Sequence, residues 1–250
     1  MARASVKSRP GGVGWRTLLR DFAGMFYPPV CPVCHRRLVE GEEVLCMECI
    51  ARIPRTYYHR VLDNQLANRL VDLKAPLQRA AAYYFYRNEN PYSHLIRVAK
   101  YNGRSDIARA LGRLYAGELR VEGFFNDIDA LVAVPIHWTK QLRRGYNQSE
   151  MIAFGISDIT GLPVYGNLRA ARAHKTQTHR SAEERRRSLT DIFTVDNPAE
   201  LCGKHLLLID DIITTGSTVL SCARVLHAAV PSLRLSVLSL DTPEPREGLL

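Results

Sequence analysis

Strands that alternate with helices predict an α/β fold, a mainly parallel sheet flanked by helices. Three observations carry this reading. The run Leu206-Leu207-Leu208-Ile209 is continuously apolar, as a strand buried on both faces must be, and it leads through a short turn into a helix. Apolar or aromatic strand segments recur at 80–86, 130–134, 164–168 and 233–240, with helical patterns between them. The chain has 250 residues and is 46% hydrophobic, enough for one good core with a small appendage.

Taken in order, residues 1–14 are rich in Gly and Arg and read as a loose tip. Leu18, Leu19, Phe22, Met25 and Phe26 recur at helical spacing between Trp15 and Tyr27, and Pro28-Pro29 stops that helix. The stripe reads as a core-packing face rather than a membrane-surface one. Residues 31–53 form a cysteine microdomain, and 54–79 a connector with a short helical stretch. The main domain spans 80–250. In it, 80–86 is a Tyr- and Phe-rich strand, and 94–100 and 107–119 are helices, the first ending at Gly103. The strand 130–134 ends at Pro135. The helix 149–160 is closed by Gly161-Leu162-Pro163, and 164–168 is a strand. Residues 172–188 are strongly cationic without an apolar period, and read as a mobile arm. The helix 217–230 is ended by Pro231, the last strand is 233–240, and no internal repeat is present.

The net charge of +9 and pI near 9.4 suit an anionic partner, or merely a soluble basic protein. No apolar run reaches the roughly 20 residues needed to span a bilayer. Arg16, Arg20 and Asp21 interrupt any secretory h-region, so a reducing cytoplasm is the expected location, and disulfides are not expected.

The strongest chemical signal follows the apolar strand. Asp210-Asp211 stand at its C-terminal end, followed by Ile212-Ile213 and then Thr214-Thr215-Gly216-Ser217-Thr218. A small-residue turn opening a helix presents consecutive N–H groups and hydroxyls, a cradle for phosphate. Gly216 permits the turn. The two carboxylates are placed to accept from ribose 2′- and 3′-hydroxyls, directly or through a hard cation. The plain alternative is a strand–turn–helix with an N-cap cluster. No lysine follows the glycine, which excludes a Walker A loop.

A second signal is Cys31-x-x-Cys34 and Cys46-x-x-Cys49, separated by eleven residues that include Gly41. Two such turns can close on one tetrahedral ion, and four thiolates suit structural Zn²⁺. His35 is a strained fifth ligand and is excluded. Redox pairs are the rival reading, but these usually occur singly. With all four positions filled by protein, the metal is structural rather than catalytic.

The stretch 206–218 resembles the phosphoribosyl-pyrophosphate (PRPP) signature of type I phosphoribosyltransferases, and the wider chain resembles the ComF family, linked to competence and DNA uptake. The likeness also takes in the two cysteine pairs and Lys100-Tyr101-Asn102-Gly103. It continues through Val134-Pro135-Ile136-His137, the run from Arg143 to Glu150, and Thr176-Gln177-Thr178 with its following arginines. Tyr146 stands where the family commonly has Phe, and Ser188 where Asn is frequent. The resemblance implies a type I phosphoribosyltransferase fold with a small N-terminal zinc finger of four cysteines. It implies PRPP or a related ribose phosphate, with Mg²⁺, at Asp210, Asp211, Thr214, Thr215, Gly216, Ser217 and Thr218. Pro135, Ile136, His137 and Arg144 are then expected on the pyrophosphate side, with Lys175, Arg180 and Arg185 in a lid. That arm can instead track a nucleic-acid backbone or be a solvated loop. Two functions stay open: a PRPP-site protein of DNA uptake, with single-stranded DNA and competence proteins as partners, or an active Mg²⁺-dependent phosphoribosyltransferase. No catalytic residue and no acceptor can be named.

Overall fold

The computed structural model describes residues 29–71, 77–86, 91–101, 103–136, 141–142, 144–170 and 193–244. The expected helix at 15–27, the cationic arm at 172–188 and His137 lie outside them. The chain divides into two compact units, the first ending at Ile50. Among the described residues no helix is long and apolar enough to cross a membrane.

In the first unit the chain turns back on itself through a bridge between Val30 and Arg37. His35 sits at φ 60°, and its N–H donates to the Cys31 carbonyl at 2.8 Å. Helix α1 (Met47–Ala51) follows. Glu42 organises its start, accepting from the N–H groups of Met47 (2.8 Å) and Val39 (3.0 Å). These bonds hold the Glu42 carboxyl below its ordinary range.

The second unit is the expected α/β architecture. It contains α2 (Gln65–Arg69), β1 (Leu77–Tyr86), α3 (Pro91–Tyr101), α4 (Ser105–Val121) and β2 (Ala130–Ala133). Then come α5 (Gln148–Thr160), β3 (Val164–Tyr165), β4 (Leu168–Ala170) and β5 (Phe193–Val195). The chain closes with β6 (His205–Ile212), α6 (Ser217–Ala229) and β7 (Arg234–Pro243). Five strands form a wholly parallel sheet in the order β1-β7-β6-β2-β3.

The central strand β6 explains its own sequence. Leu206, Leu207, Leu208 and Ile209 are fully buried because both faces are covered. Each contributes roughly 1.5–3 kcal/mol relative to exposure. On one face Leu206 and Leu208 join a cluster with Leu66 of α2, Leu70 at its C-cap, and Val219, Ala223 and Leu226 of α6. The residues read as a connector thus supply core to the larger unit. Helices α4 and α5 pack against each other and the sheet, and glycines bring them unusually close. An added Cβ at Gly155 would lie 2.1 Å from the Arg109 carbonyl oxygen, and one at Gly112 2.5 Å from that of Ile152. Asp158 of α5 bridges Arg109 (2.6 Å) and Arg113 (3.0 Å) of α4. The Arg109 bond is the main reason its carboxyl is lowered to about 2. At this exposure such pairs add little, under about 1 kcal/mol.

Two differences from the sequence expectation bear on the site. The strand read over 164–168 is broken at Gly166-Asn167. Val164-Tyr165 pairs with β2, whereas Leu168 to Ala170 turns away to pair antiparallel with β5 as a separate two-stranded sheet. The Asn167 side chain fixes this break, donating to the Asp196 carbonyl (2.9 Å) and to Glu200 (3.0 Å). β6 also runs on through the acidic pair: Asp210 lies opposite Ser239, and Ile212 opposite Asp241.

Candidate functional site

The acidic pair and the hydroxyl-rich turn meet at the C-terminal end of β6. Ile213 is buried and anchors the turn, its N–H bonded to the Asp241 carbonyl at 3.1 Å. Thr214, Thr215, Ser217 and Thr218 are exposed, so their hydroxyls face outward around a cup of about 30 Å³. Thr215 donates to the Ser217 hydroxyl at 3.2 Å. Gly216 caps α6 with φ 79°, and the Leu220 N–H returns to its carbonyl at 2.8 Å. The 13-residue helix behind the turn carries no acidic residue in its first turn, so its positive end is uncompensated by its own sequence.

Gly216 is constrained from behind as well as by its turn. An added Cβ would come within 2.7 Å of Leu70 Cδ2 and 3.4 Å of the Arg69 carbonyl oxygen. The sequence reason for glycine was close approach of a ligand. The structure adds a second, the packing of α2 under the turn.

Asp210 is organised by a residue the sequence reading did not single out. Ser149 Oγ donates to Asp210 Oδ1 at 3.0 Å, and the Asp211 N–H donates to the same oxygen at 2.9 Å. Ser149 is 2% exposed and stands in the first turn of α5, 61 residues away in sequence. Asn147 is the N-cap: its side-chain oxygen accepts from the Ser149 N–H (3.1 Å), and its amide donates to the Val134 carbonyl (3.0 Å). The available signal was an Asn three residues before Glu150, a capping-box pattern that starts the helix at Gln148 rather than Ser149.

Of the expected second wall, Pro135 and Ile136 come just after β2, past Val134, whose N–H bonds to the Ile209 carbonyl at 2.8 Å. They line a cleft of about 870 Å³ with Asn147, Glu150, Tyr165 and Arg169. Arg169 Nε is paired with Asp196 at 2.5 Å. Arg144 donates through Nη1 to Gln148 Oε1 at 3.1 Å. Arg144 Nε is a buried donor with no hydrogen-bond partner among the described residues. Lys175, Arg180 and Arg185 lie outside the described residues.

In the small unit, Cys31, Cys34, Cys46 and Cys49 bring their sulfurs within 4.8 Å of one another, a group that can hold a metal ion. Zn–S bonds of about 2.3 Å in a tetrahedron require sulfur separations of roughly 3.8 Å. Cys34 and Cys46 sulfurs are 3.6 Å apart, so the donor set fits in size and chemistry. Burial raises the Cys49 thiol, helped by the neighbouring thiols. Burial also opposes the Cys46 thiolate, but bonds from the Cys49 N–H and from the thiols of Cys49, Cys34 and Cys31 outweigh it and bring Cys46 to about 7. His35 is not part of the group.

The DNA utilization protein YhgH of Escherichia coli (strain K12) is 33% identical over 204 residues, covering 79% of this chain and 83% of the relative. The chain belongs to the ComF family. Competence protein F of Haemophilus influenzae is 32% identical over 143 residues, 55% of this chain and 62% of that protein. Competence protein ComFC of Bacillus subtilis is 26% identical over 198 residues, 79% and 71% of the two chains. No family model matches the sequence. Among solved structures, the glutamine PRPP amidotransferase from B. subtilis aligns with 52% of this ComF-family chain and 25% of its own, at 19% identity and a TM-score of 0.36. The adenine phosphoribosyltransferase of Saccharomyces cerevisiae aligns with 50% and 64%, at 14% identity and a TM-score of 0.30.

Proposed function

We propose that this protein binds PRPP or a related ribose phosphate with Mg²⁺ at the end of β6, and serves in DNA uptake or utilisation. The observation that carries the binding reading is the adjacent Asp210-Asp211 pair, set beside the hydroxyl-lined turn at the N-terminus of α6. Adjacent carboxylates repel unless donors or a cation compensate. A 5′-phosphate in the cup of Thr214 to Thr218 satisfies the turn's N–H groups and hydroxyls. The acidic pair then takes the ribose hydroxyls and the cation. The leftover Arg144 Nε donor suits the pyrophosphate, beside Pro135 and Ile136. The names of the relatives, DNA utilization and competence, support the cellular role.

Structural Zn²⁺ at Cys31, Cys34, Cys46 and Cys49 completes the reading. None of the six cysteines is in a disulfide, which fits a reducing cytoplasmic setting. A microdomain this small has little core of its own, and the ion supplies about 10 kcal/mol or more of its folding energy.

Titration calorimetry with PRPP, with and without Mg²⁺, tests the binding reading, and single-stranded DNA added to the same preparation tests the nucleic-acid partner. Wild-type protein is expected to bind PRPP in a Mg²⁺-dependent way. The double variant Asp210→Asn, Asp211→Asn loses two charge-assisted bonds of roughly 1.5–3 kcal/mol each, so its affinity falls about a hundredfold or more. Absence of Mg²⁺-dependent affinity at millimolar PRPP, or unchanged binding in the double variant, overturns the reading. Pyrophosphate release on adding candidate acceptors separates transfer from binding alone.

A further inference from the structure

We infer that Ser149 is a positioning residue for the cation-binding carboxylate of Asp210, and that the N-terminus of α5 ties the two walls of the site together. The inference rests on the PRPP and Mg²⁺ reading and adds to it a residue from outside the signature.

One chain of bonds carries it. The Val134 carbonyl, immediately before Pro135-Ile136, accepts from Asn147 Nδ2 at 3.0 Å. Asn147 Oδ1 accepts from the Ser149 N–H at 3.1 Å, and Ser149 Oγ donates to Asp210 Oδ1 at 3.0 Å. Asn147 is 7% exposed and Ser149 2%, so neither bond has water to replace it. On the other side, the backbone N–H of Asp211 also donates to Oδ1. One carboxylate oxygen is thereby gripped from two elements, α5 and β6, which fixes the plane of the carboxyl group. A cation demands carboxylate oxygens in set directions, and an orienting bond to a ligating carboxylate governs its affinity. The phosphate cup of Thr214 to Thr218 receives none of these bonds, so the effect of Ser149 is confined to the cation and ribose part of the site.

The test is calorimetry of Ser149→Ala with PRPP in Mg²⁺ and PRPP in chelator, with wild type alongside. Losing a bond to a charged group predicts a drop of about ten- to a hundredfold in Mg²⁺-dependent affinity, with a much smaller fall in chelator, where only the ribose contact of Asp210 is disturbed. Ser149→Thr keeps a hydroxyl donor and is expected to retain most of the Mg²⁺ gain. Ser157→Ala removes another hydroxyl of the same helix, one that donates to the Leu162 carbonyl at 2.7 Å, and is expected to leave both affinities unchanged. If wild type shows the Mg²⁺ gain and Ser149→Ala keeps it in full, the positioning role is wrong. It is also wrong if the Thr variant loses the gain as completely as the Ala variant, or if affinity in chelator falls equally. A wild type with no Mg²⁺ gain instead overturns the underlying PRPP reading.

Discussion

Replacing Gly155 by alanine adds one carbon to α5, and the position of that carbon is set by the backbone. It would lie 2.1 Å from the Arg109 carbonyl oxygen and 3.0 Å from the Arg113 nitrogen, both main-chain atoms of α4. No side-chain rotation relieves such a contact. The helices must separate by about 1 Å in an interface packed to crystal-like density. Overpacking of this kind costs about 3 kcal/mol at its upper range. Alanine returns about 1 kcal/mol through its better helix propensity. The net expectation is a loss of about 2 kcal/mol, a fall in melting temperature of roughly 4–8 °C for a chain of this size. Gly117 on α4 is the internal control, because an added Cβ there meets nothing within 4 Å. Gly117→Ala keeps the propensity gain alone and is expected to raise stability by about 0.5–1 kcal/mol. Thermal and urea denaturation of the two variants should move in opposite directions. Equal stability of Gly155→Ala and wild type, or shifts of the same sign, would refute the close-packing account.

Three further expectations follow from particular sites. Purified protein carries one zinc per chain by metal analysis, and Cys46→Ala with Cys49→Ala loses it; a stoichiometric disulfide in place of zinc defeats that assignment. Gly216→Val combines a positive φ with the Leu70 contact and is expected to lose more than 2 kcal/mol by denaturation, in line with about 1–2 kcal/mol for the left-handed backbone alone. Wild-type stability there would remove the claim that α2 buttresses the turn. His205 is fully buried, its Nδ1 bonded to the Asp127 carbonyl and its Nε2 accepting from Ser236, both at 2.9 Å. Burial lowers its pKa, with the Asp127 charge opposing, and burial alone lowers that of His227. The unfolded chain therefore takes up protons near pH 6.5 that the folded chain refuses, and stability falls as pH drops from that value toward the lowered folded-state pKa values. His205→Asn should flatten this acid limb in denaturation curves taken from pH 7 to 5, and an unchanged limb would show that another group controls it.

The parts legible in the sequence were those specified by neighbours along the chain. Leu206 to Ile209 declares a doubly covered strand by continuous apolarity, and Asp210 to Thr218 declares its turn and helix start by residue type and order. The cysteine pairs set their own local turns, so the four sulfurs could be grouped from spacing alone. Tertiary structure decided what depends on residues distant in sequence. The break at Gly166-Asn167 looked like continuous strand because Leu168 is apolar, but Leu168 is buried through pairing with β5 rather than β2. Gly112, Gly117 and Gly155 are the same letter in the same kind of helix, and only the partner helix separates the two that must stay glycine from the one that need not. Ser149 meets Asp210 across 61 residues of sequence, and Leu70 lies behind Gly216 from a segment that read as a connector. Local bonding and periodicity are written along the chain, whereas a contact between two elements is fixed by how their surfaces pack, and it acquires a physical meaning only once both are in place.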